Sequence, residues 1–145
     1  MHDLFLKQAY DQALLAYQKH EVPVGCIVVR NKVVISRSHN MTNLLHTPLA
    51  HAELNALRQL SRDTSDSLVF YITCEPCVMC LGILSRLKCT VYYGCKNERF
   101  GGSSVLESSE KDWLVNLKDP KCYEILREFY KRENINAPEE LRKKK

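Results

Sequence analysis

The chain has 145 residues, of which 45% are hydrophobic and 26% are charged, and its formal net charge at pH 7 is +4. This composition is ordinary for one globular domain with a sizeable core, and it excludes a fibrous or wholly disordered chain. The positive charge fits an anionic partner but is too small to identify one. No segment approaches the apolar length of a membrane span.

The predicted elements alternate between helices and strands. We expect helices at residues 2–19, 50–61, from Pro76 to about Arg86, and 120–132, and strands at 24–29, 33–36, 68–73 and 89–93. The first two strands are joined across Asn31-Lys32, as in a hairpin, and Asp119-Pro120 is typical of a helix start. The alternation implies crossover connections, and therefore an α/β fold with a partly parallel, mixed sheet flanked by helices.

The seven cysteines are an odd number for a disulfide framework. Met1-His2-Asp3-Leu4 lacks the basic flank and long apolar run of a secretion signal. Free thiols are typical of a reducing compartment. We therefore expect the protein in the cytoplasm, the nucleus or both.

Three side chains of the types that bind zinc occur near two predicted helix starts. His51 precedes Glu53 by two residues at one of them, whereas Cys77 and Cys80 follow Pro76 at the other. Proline fits the first helical position because its missing N–H costs nothing there. The unpaired N–H groups and positive dipole end of a helix start favour thiolates. His51 and Glu53 do not face the same way along a helix, so they serve one site only from its first turn.

The number of ligands distinguishes a structural from a catalytic zinc. Structural sites are closed by four protein ligands, whereas catalytic sites keep one position for water. Three candidates cluster here, which predicts a catalytic site with Glu53 as an unliganded carboxylate that moves protons. The alternatives are a fourth ligand from Cys74, Cys89 or Cys95, and a Glu53 that only complements the helix dipole.

The run His-x-Glu followed by Pro-Cys-x-x-Cys, at residues 51–53 and 76–80, resembles the cytidine/deoxycytidylate deaminase superfamily. Further stretches are similar to the tRNA adenosine deaminases within it, and most of all to the catalytic subunits of the eukaryotic wobble-adenosine enzymes. These stretches are Glu21–Gly25, Ser38–Asn40, Thr73–Cys80 and Asn97–Gly102. The similarity covers about residues 1–130. It implies a three-layer cytidine deaminase-like fold, with a deaminase-type domain at 1–133 and a basic C-terminal tail at 134–145.

The resemblance implies a Zn²⁺ ion held by His51, Cys77 and Cys80, with Glu53 as the catalytic proton carrier. The implied reaction is hydrolytic deamination of adenosine to inosine at the wobble position of tRNA anticodons. The preference for adenine over cytosine follows from the resemblance alone, because both rings accept the same attack. The implied partners are tRNA and a homologous, non-catalytic, deaminase-like subunit in a heterodimer.

Two substrate-binding residues are also implied by the resemblance. Asn40 matches the asparagine that hydrogen-bonds the target nucleotide, and Val24 matches a pocket-wall position. The alternatives are a turn residue for Asn40 and a core strand residue for Val24. We place His39 and His46 in loops outside the site. Glu75 beside the cysteine pair is either a residue that orients a ligand or a helix-start acceptor.

Two surface segments are candidates for RNA contact. The tail ends in Arg142, Lys143, Lys144 and Lys145, which can neutralise phosphates and which the resemblance implicates in tRNA binding. The alternative for the tail is a solvated, disordered end. Asn97–Phe100 contains an arginine and an aromatic side chain that suit splayed bases, although this segment could equally contact a partner subunit.

Two other functions remain open from the sequence. One is a deaminase of a free base, nucleoside or nucleotide, of the cytosine or guanine type. The other is a non-catalytic zinc module that binds RNA or a partner.

Overall fold

A computed structural model describes residues 1–61, 67–98, 100–102, 112–132, 135 and 137–142. The helices in this part of the chain are α1 (His2–Gln18), α2 (Ala52–Arg58), α3 (Val78–Leu84) and α4 (Pro120–Lys131), followed by a short 3₁₀ helix at Glu139–Leu141. The strands are β1 (Gly25–Arg30), β2 (Val33–His39), β3 (Leu68–Cys74), β4 (Cys89–Cys95) and β5 (Leu114–Asn116). None of the helices described is long and apolar enough to cross a membrane.

The five strands form one mixed sheet in the order β2-β1-β3-β4-β5. Strand β1 runs antiparallel to both β2 and β3, whereas β3, β4 and β5 run parallel to one another. Parallel neighbours need crossover connections, and here α3 lies between β3 and β4 in the chain. The predicted α/β class and mixed sheet are confirmed.

Two hydrophobic cores lie on opposite faces of the sheet. Ile27 and Val29 of β1 pack on the face that carries α1 and the Cys122 side chain of α4. Cys26 and Val28 point to the other face, which carries α2 and the Leu84 side chain of α3. This alternation along one strand is what a sheet buried on both faces requires, and it produces three layers.

The hairpin between β1 and β2 has the predicted two-residue connection. Asn31 and Lys32 have φ values of 50° and 64°, so both lie in the left-handed region that a type I′ turn requires. At the other end of β1, Gly25 faces the backbone of α1, and a Cβ there would overlap Ala9 O and Ala13 N. Glycine is therefore required where α1 crosses the start of β1.

The predicted bounds differ from the observed ones mainly at the two helices that carry the candidate ligands. Helix α2 begins at Ala52 and ends at Arg58, so it is shorter than the predicted 50–61, and α3 ends at Leu84 rather than near Arg86. Pro76 does not occupy the first helical position, because Cys77 is the N-cap of α3 and has extended backbone.

The later elements agree better, apart from one missed strand. Strand β4 extends to Cys95, two residues beyond the prediction, and β5 was not predicted. The last helix is confirmed, because Pro120 is its first residue and the Asp119 side chain accepts a hydrogen bond from Lys121 N at 3.0 Å.

Candidate active site

The three candidate metal ligands come together between the starts of α2 and α3. His51 is the N-cap of α2, Cys77 is the N-cap of α3, and Cys80 lies in the first turn of α3. His51 Nδ1 is 3.5 Å from Cys77 Sγ and 3.5 Å from Cys80 Sγ. The ligand atoms of all three residues lie within 4.8 Å of one another.

These separations fit a tetrahedral zinc ion. With Zn–N near 2.05 Å and Zn–S near 2.3 Å, tetrahedral angles place nitrogen and sulfur ligands about 3.6 Å apart. The observed 3.5 Å agrees with that value for both cysteines. One nitrogen and two sulfur ligands are also a donor set that zinc prefers. The residues present therefore fit a zinc ion in both their chemistry and the two nitrogen–sulfur distances.

The other cysteines proposed as a fourth ligand make other contacts. Cys89 Sγ donates to Leu84 O at 3.3 Å, and Cys95 Sγ donates to Thr73 O at 3.4 Å. Cys74 pairs with Cys95 across β3 and β4. Over the described ranges, the group that can hold a metal contains His51, Cys77 and Cys80 alone. This arrangement supports a site with one position left for water.

Hydrogen bonds among the three ligand side chains shift their pKa values in the metal-free chain. The hydrogen bond with Cys80 lowers the pKa of the Cys77 thiol to about 4, and the same hydrogen bond raises the pKa of Cys80. A hydrogen bond with Cys77 raises the pKa of the His51 imidazole. Cys77 is thus held as a thiolate between two donors. Metal binding would displace those donor protons, since zinc takes deprotonated ligands.

Glu53 lies beside this cluster in the first turn of α2. Its side chain is buried, with 4% of its surface exposed. Burial raises the pKa of the Glu53 carboxyl, and a hydrogen bond from Cys80 acts in the opposite direction. A carboxyl group with a raised pKa next to a metal site is suited to taking up and releasing a proton.

Asn40 and Val24 are brought together by the fold. Asn40 N donates to Val24 O at 3.1 Å, at the end of β2 where it leaves the sheet. Asn40 is buried, and its Oδ1 accepts a hydrogen bond from Thr42 N at 3.0 Å. Asn40 therefore forms the turn that its alternative predicts, and that turn fixes the orientation of its amide group.

Comparison with known proteins agrees with this geometry. The family described as the cytidine and deoxycytidylate deaminase zinc-binding region matches residues 1–95. The chain belongs to this deaminase family. It is 37% identical to tRNA-specific adenosine deaminase 2 of Xenopus tropicalis, over 97% of this chain and 95% of that one. It is 35% identical to a tRNA-specific adenosine deaminase subunit of Schizosaccharomyces pombe, over 94% of this chain and 39% of that one.

Solved structures resemble the deaminase fold of this chain as well. A structure from work on A-to-I editing by tRNA:A34 deaminases has a TM-score of 0.75 and 28% identity, and the match covers 86% of this chain and 99% of that one. Guanine deaminase from Bacillus subtilis has a TM-score of 0.62 and 27% identity, covering 77% of this chain and 78% of that one.

The two histidines left out of the deaminase site have different positions. His46 is exposed and has a φ of 50°, as in a turn. The prediction of a loop was wrong for His39, which is the last residue of β2 and is buried. Its Nδ1–H donates to Asn40 O at 2.9 Å, so its Nε2 faces Lys19 Nζ, at 3.4 Å, as an acceptor. His39 therefore holds the backbone carbonyl of Asn40 through this hydrogen bond.

Glu75 supports the segment that covers Cys77. Its buried carboxylate accepts from Asn97 N at 3.4 Å, and a Cβ at Gly101 would overlap the Glu75 carboxylate. Gly101 in turn forms an antiparallel bridge with Cys77, and Val78 N donates to Phe100 O at 3.1 Å. Glu75 thus contacts the segment that pairs with Cys77, and its role as a residue that orients a ligand stays a prediction.

The described part of the basic tail ends at Arg142. Its Nε donates to Ala137 O and its Nη2 donates to Ile135 O, each at 3.0 Å, so the guanidinium folds the tail back on itself. The alternative of a disordered end does not hold at Glu139–Leu141, which form the 3₁₀ helix. Lys143, Lys144 and Lys145 lie outside the described residues, as does Arg99.

Two buried polar residues near the site were not predicted. Asn55 donates to both His39 O and Ala50 O, and Glu21 accepts from two backbone N–H groups of the loop after Asn40. A sequence indication existed for Asn55, because asparagine is a poor helix former and lies inside a helix next to a ligand.

Proposed function

We propose that this chain is the catalytic subunit of a heterodimer that converts adenosine to inosine at the wobble position of tRNA anticodons. The observation that carries the chemistry is the three-ligand cluster of His51, Cys77 and Cys80 with the buried Glu53 beside it. The similarity to tRNA-specific adenosine deaminases over nearly the whole chain supports the substrate.

The proposed reaction is addition of water to C6 of adenine followed by loss of ammonia. A zinc ion held by the three side chains would acidify a water molecule at its remaining position. Glu53 takes a proton from that water on its carboxylate and delivers it to N1 of the ring. The same carboxylate then carries the second proton to the departing amino group. Adenosine and water are consumed, and inosine and ammonia are formed.

Asn40 and Val24 are proposed to hold the target nucleotide. The Asn40 Oδ1 atom is occupied by Thr42 N, so the Nδ2 group is the part of this amide that would donate to a nucleotide acceptor. Val24 is half-buried and packs against both cores, which makes it a rigid wall. A flipped base needs both a fixed polar contact and an apolar wall.

The partners follow from the size of the substrate. A tRNA is larger than the surface that one small domain offers around a pocket, which favours a second, homologous, non-catalytic subunit. The naming of the fission yeast relative as a subunit supports this assembly.

We propose that Lys143, Lys144 and Lys145 contact phosphates, because Arg142 is engaged by its own tail. A cytoplasmic or nuclear location is part of the same proposal.

The test is inosine formation at the wobble adenosine of a tRNA. The chain is assayed alone, with its co-purified partner, and as Glu53→Ala and Glu53→Gln in the same complex. We expect activity only with the partner, and a loss of at least about 10²-fold in both variants, because general acid–base catalysis contributes that much. Glu53→Gln keeps the size of the side chain, so retained zinc in this variant separates lost chemistry from lost metal.

Two outcomes would contradict the proposal. Ammonia release from free adenosine, guanine or cytidine without inosine in tRNA would make the chain a deaminase of small substrates. Full activity in both Glu53 variants would make the site non-catalytic.

A further inference from the structure

The segment from Asn40 to His51 joins the proposed substrate contact to the first metal ligand. Its base is closed by two hydrogen bonds to Ala50 O, one from Met41 N at 2.9 Å and one from Asn55 Nδ2 at 3.0 Å. The two ends of the segment are therefore adjacent. The position of the intervening loop decides how the Asn40 side chain is directed.

The buried carboxylate of Glu21 holds this loop. Glu21 has 2% of its surface exposed, and its Oε1 and Oε2 accept hydrogen bonds from Leu44 N at 2.7 Å and Asn43 N at 3.1 Å. Its own backbone N–H donates to Ala16 O at 2.9 Å, which anchors Glu21 to the end of α1. Hydrogen bonds to an ionised carboxylate are about twice as strong as neutral ones. Glu21 therefore connects the loop to a rigid helix.

Three consecutive backbone N–H groups link Glu21 to Asn40. The N–H of Thr42 donates to Asn40 Oδ1, and the next two, of Asn43 and Leu44, donate to Glu21. Fixing the second and third of these groups also fixes the direction of the first. The side-chain carbonyl of Asn40 is then held toward the loop, so that Nδ2, the other polar atom of the planar amide, points away from it.

We propose that Glu21 is a positioning residue for the deamination, acting through the loop on the Asn40 amide. This inference rests on the proposed function, since Asn40 matters only if it contacts the target nucleotide. Glu21 does not contact the reacting atoms itself. Its removal should leave the zinc ligands in place, because His51 and Cys77 are the N-caps of α2 and α3, and the base of the loop stays closed by the two hydrogen bonds to Ala50 O.

The experiment is a double-mutant cycle in the zinc-loaded complex with its partner. Glu21→Gln keeps the side-chain volume but replaces one acceptor oxygen with an NH₂ group that cannot accept from an N–H. We expect kcat/KM for inosine formation to fall roughly tenfold in the wild-type background. In the Asn40→Ala background the same change should alter kcat/KM by less than about twofold, because residues that act as a unit are not additive.

A matched control removes the same charge elsewhere. Glu124→Gln on the exposed side of α4 should leave kcat/KM unchanged. Equal fold losses for Glu21→Gln in both backgrounds would indicate a general structural role and would overturn the proposal. An active wild-type complex whose Glu21→Gln variant shows no loss would also overturn it.

A second measurement does not depend on activity. Amide hydrogen exchange of Asn43 and Leu44, followed by NMR in the zinc-loaded chain, should accelerate roughly tenfold in Glu21→Gln, whereas Val28 in the sheet should not change. Unchanged protection of the two loop amides would contradict the proposal that the Glu21 carboxylate holds the loop. A wild-type complex that forms no inosine would instead overturn the proposed function, and with it the catalytic part of this inference.

Discussion

Asn55 offers the sharpest test of how strand β2 is joined to helix α2. Its side chain has 5% of its surface exposed, and its Nδ2 donates to His39 O at 2.9 Å and to Ala50 O at 3.0 Å. Asn55→Leu keeps the number of side-chain heavy atoms and the branch at Cγ but removes both hydrogen bonds that Nδ2 donates. Ala50 O would keep its hydrogen bond from Met41 N at 2.9 Å, whereas His39 O would keep only the longer hydrogen bond from Ser38 Oγ at 3.5 Å.

The expected cost follows from the hydrogen bonds that these two carbonyls lose and keep. Loss of an ordinary hydrogen bond costs about 0.5–1.5 kcal/mol, and a buried carbonyl left without any donor costs about 1–3 kcal/mol. Because both carbonyls keep a donor and two hydrogen bonds are lost, we expect Asn55→Leu to lower the free energy of unfolding by about 1–3 kcal/mol. The measurement is urea denaturation of the zinc-loaded chain at fixed zinc concentration, since bound metal contributes to stability.

Gln59 provides the matched control one helical turn later. Its Nε2 donates to Arg37 O, another β2 carbonyl, at 2.9 Å, but this bond lies at the surface. Water can replace that donor, and Ser36 Oγ, which also donates to Gln59 Oε1, keeps Ala56 O as its acceptor, so Gln59→Leu should cost less than about 1 kcal/mol. If Asn55→Leu costs no more than Gln59→Leu, the buried amide does not join the strand to the helix as argued.

Two further predictions concern the hairpin and the metal ligands. Lys32→Gly should raise the free energy of unfolding by about 0.5–1 kcal/mol in urea denaturation, because a φ of 64° strains a lysine but not a glycine. Asn31→Gly should raise it by less, since asparagine tolerates this region. A loss of stability in Lys32→Gly would contradict the turn. Removal of zinc by a chelator should expose a thiolate at Cys77, whose pKa is lowered to about 4 by its hydrogen bond with Cys80, whereas an ordinary thiol is less than about 1% ionised at pH 6. Iodoacetamide at pH 6 should then label Cys77 well before the buried Cys122, whose pKa is raised by burial, as followed by peptide mass spectrometry, and equal labelling would contradict the assignment.

The sequence predicted those parts of the site that depend on local spacing. His51 and Glu53 lie two residues apart, and Cys77 and Cys80 lie three apart, so each pair is arranged by a single helix start. The predicted hairpin across residues 31–32 succeeded for the same reason.

Contacts between distant residues were beyond such reasoning. The Glu21 carboxylate accepts from Asn43 N across 22 residues of chain, and no local pattern marks that pair. Strand β5 has only three residues, Leu114–Asn116, and exists because it pairs with β4. Strand preference depends on such packing more than on intrinsic propensity, so a short edge strand has little sequence pattern of its own.

The errors in the predicted helix starts have one physical cause, which also links fold to site. His51 and Cys77 are N-cap residues with extended backbone, at ψ values of 155° and 170°, and neither side chain caps its helix. An N-cap side chain normally accepts from the first helical N–H groups. Here both side chains point instead toward the metal position, so each seven-residue helix begins one residue after its ligand. Because Cys77 occupies the N-cap of α3, Pro76 lies one residue before the N-cap. Because α2 begins at Ala52, Glu53 lies in its first turn, beside the site, without being a ligand.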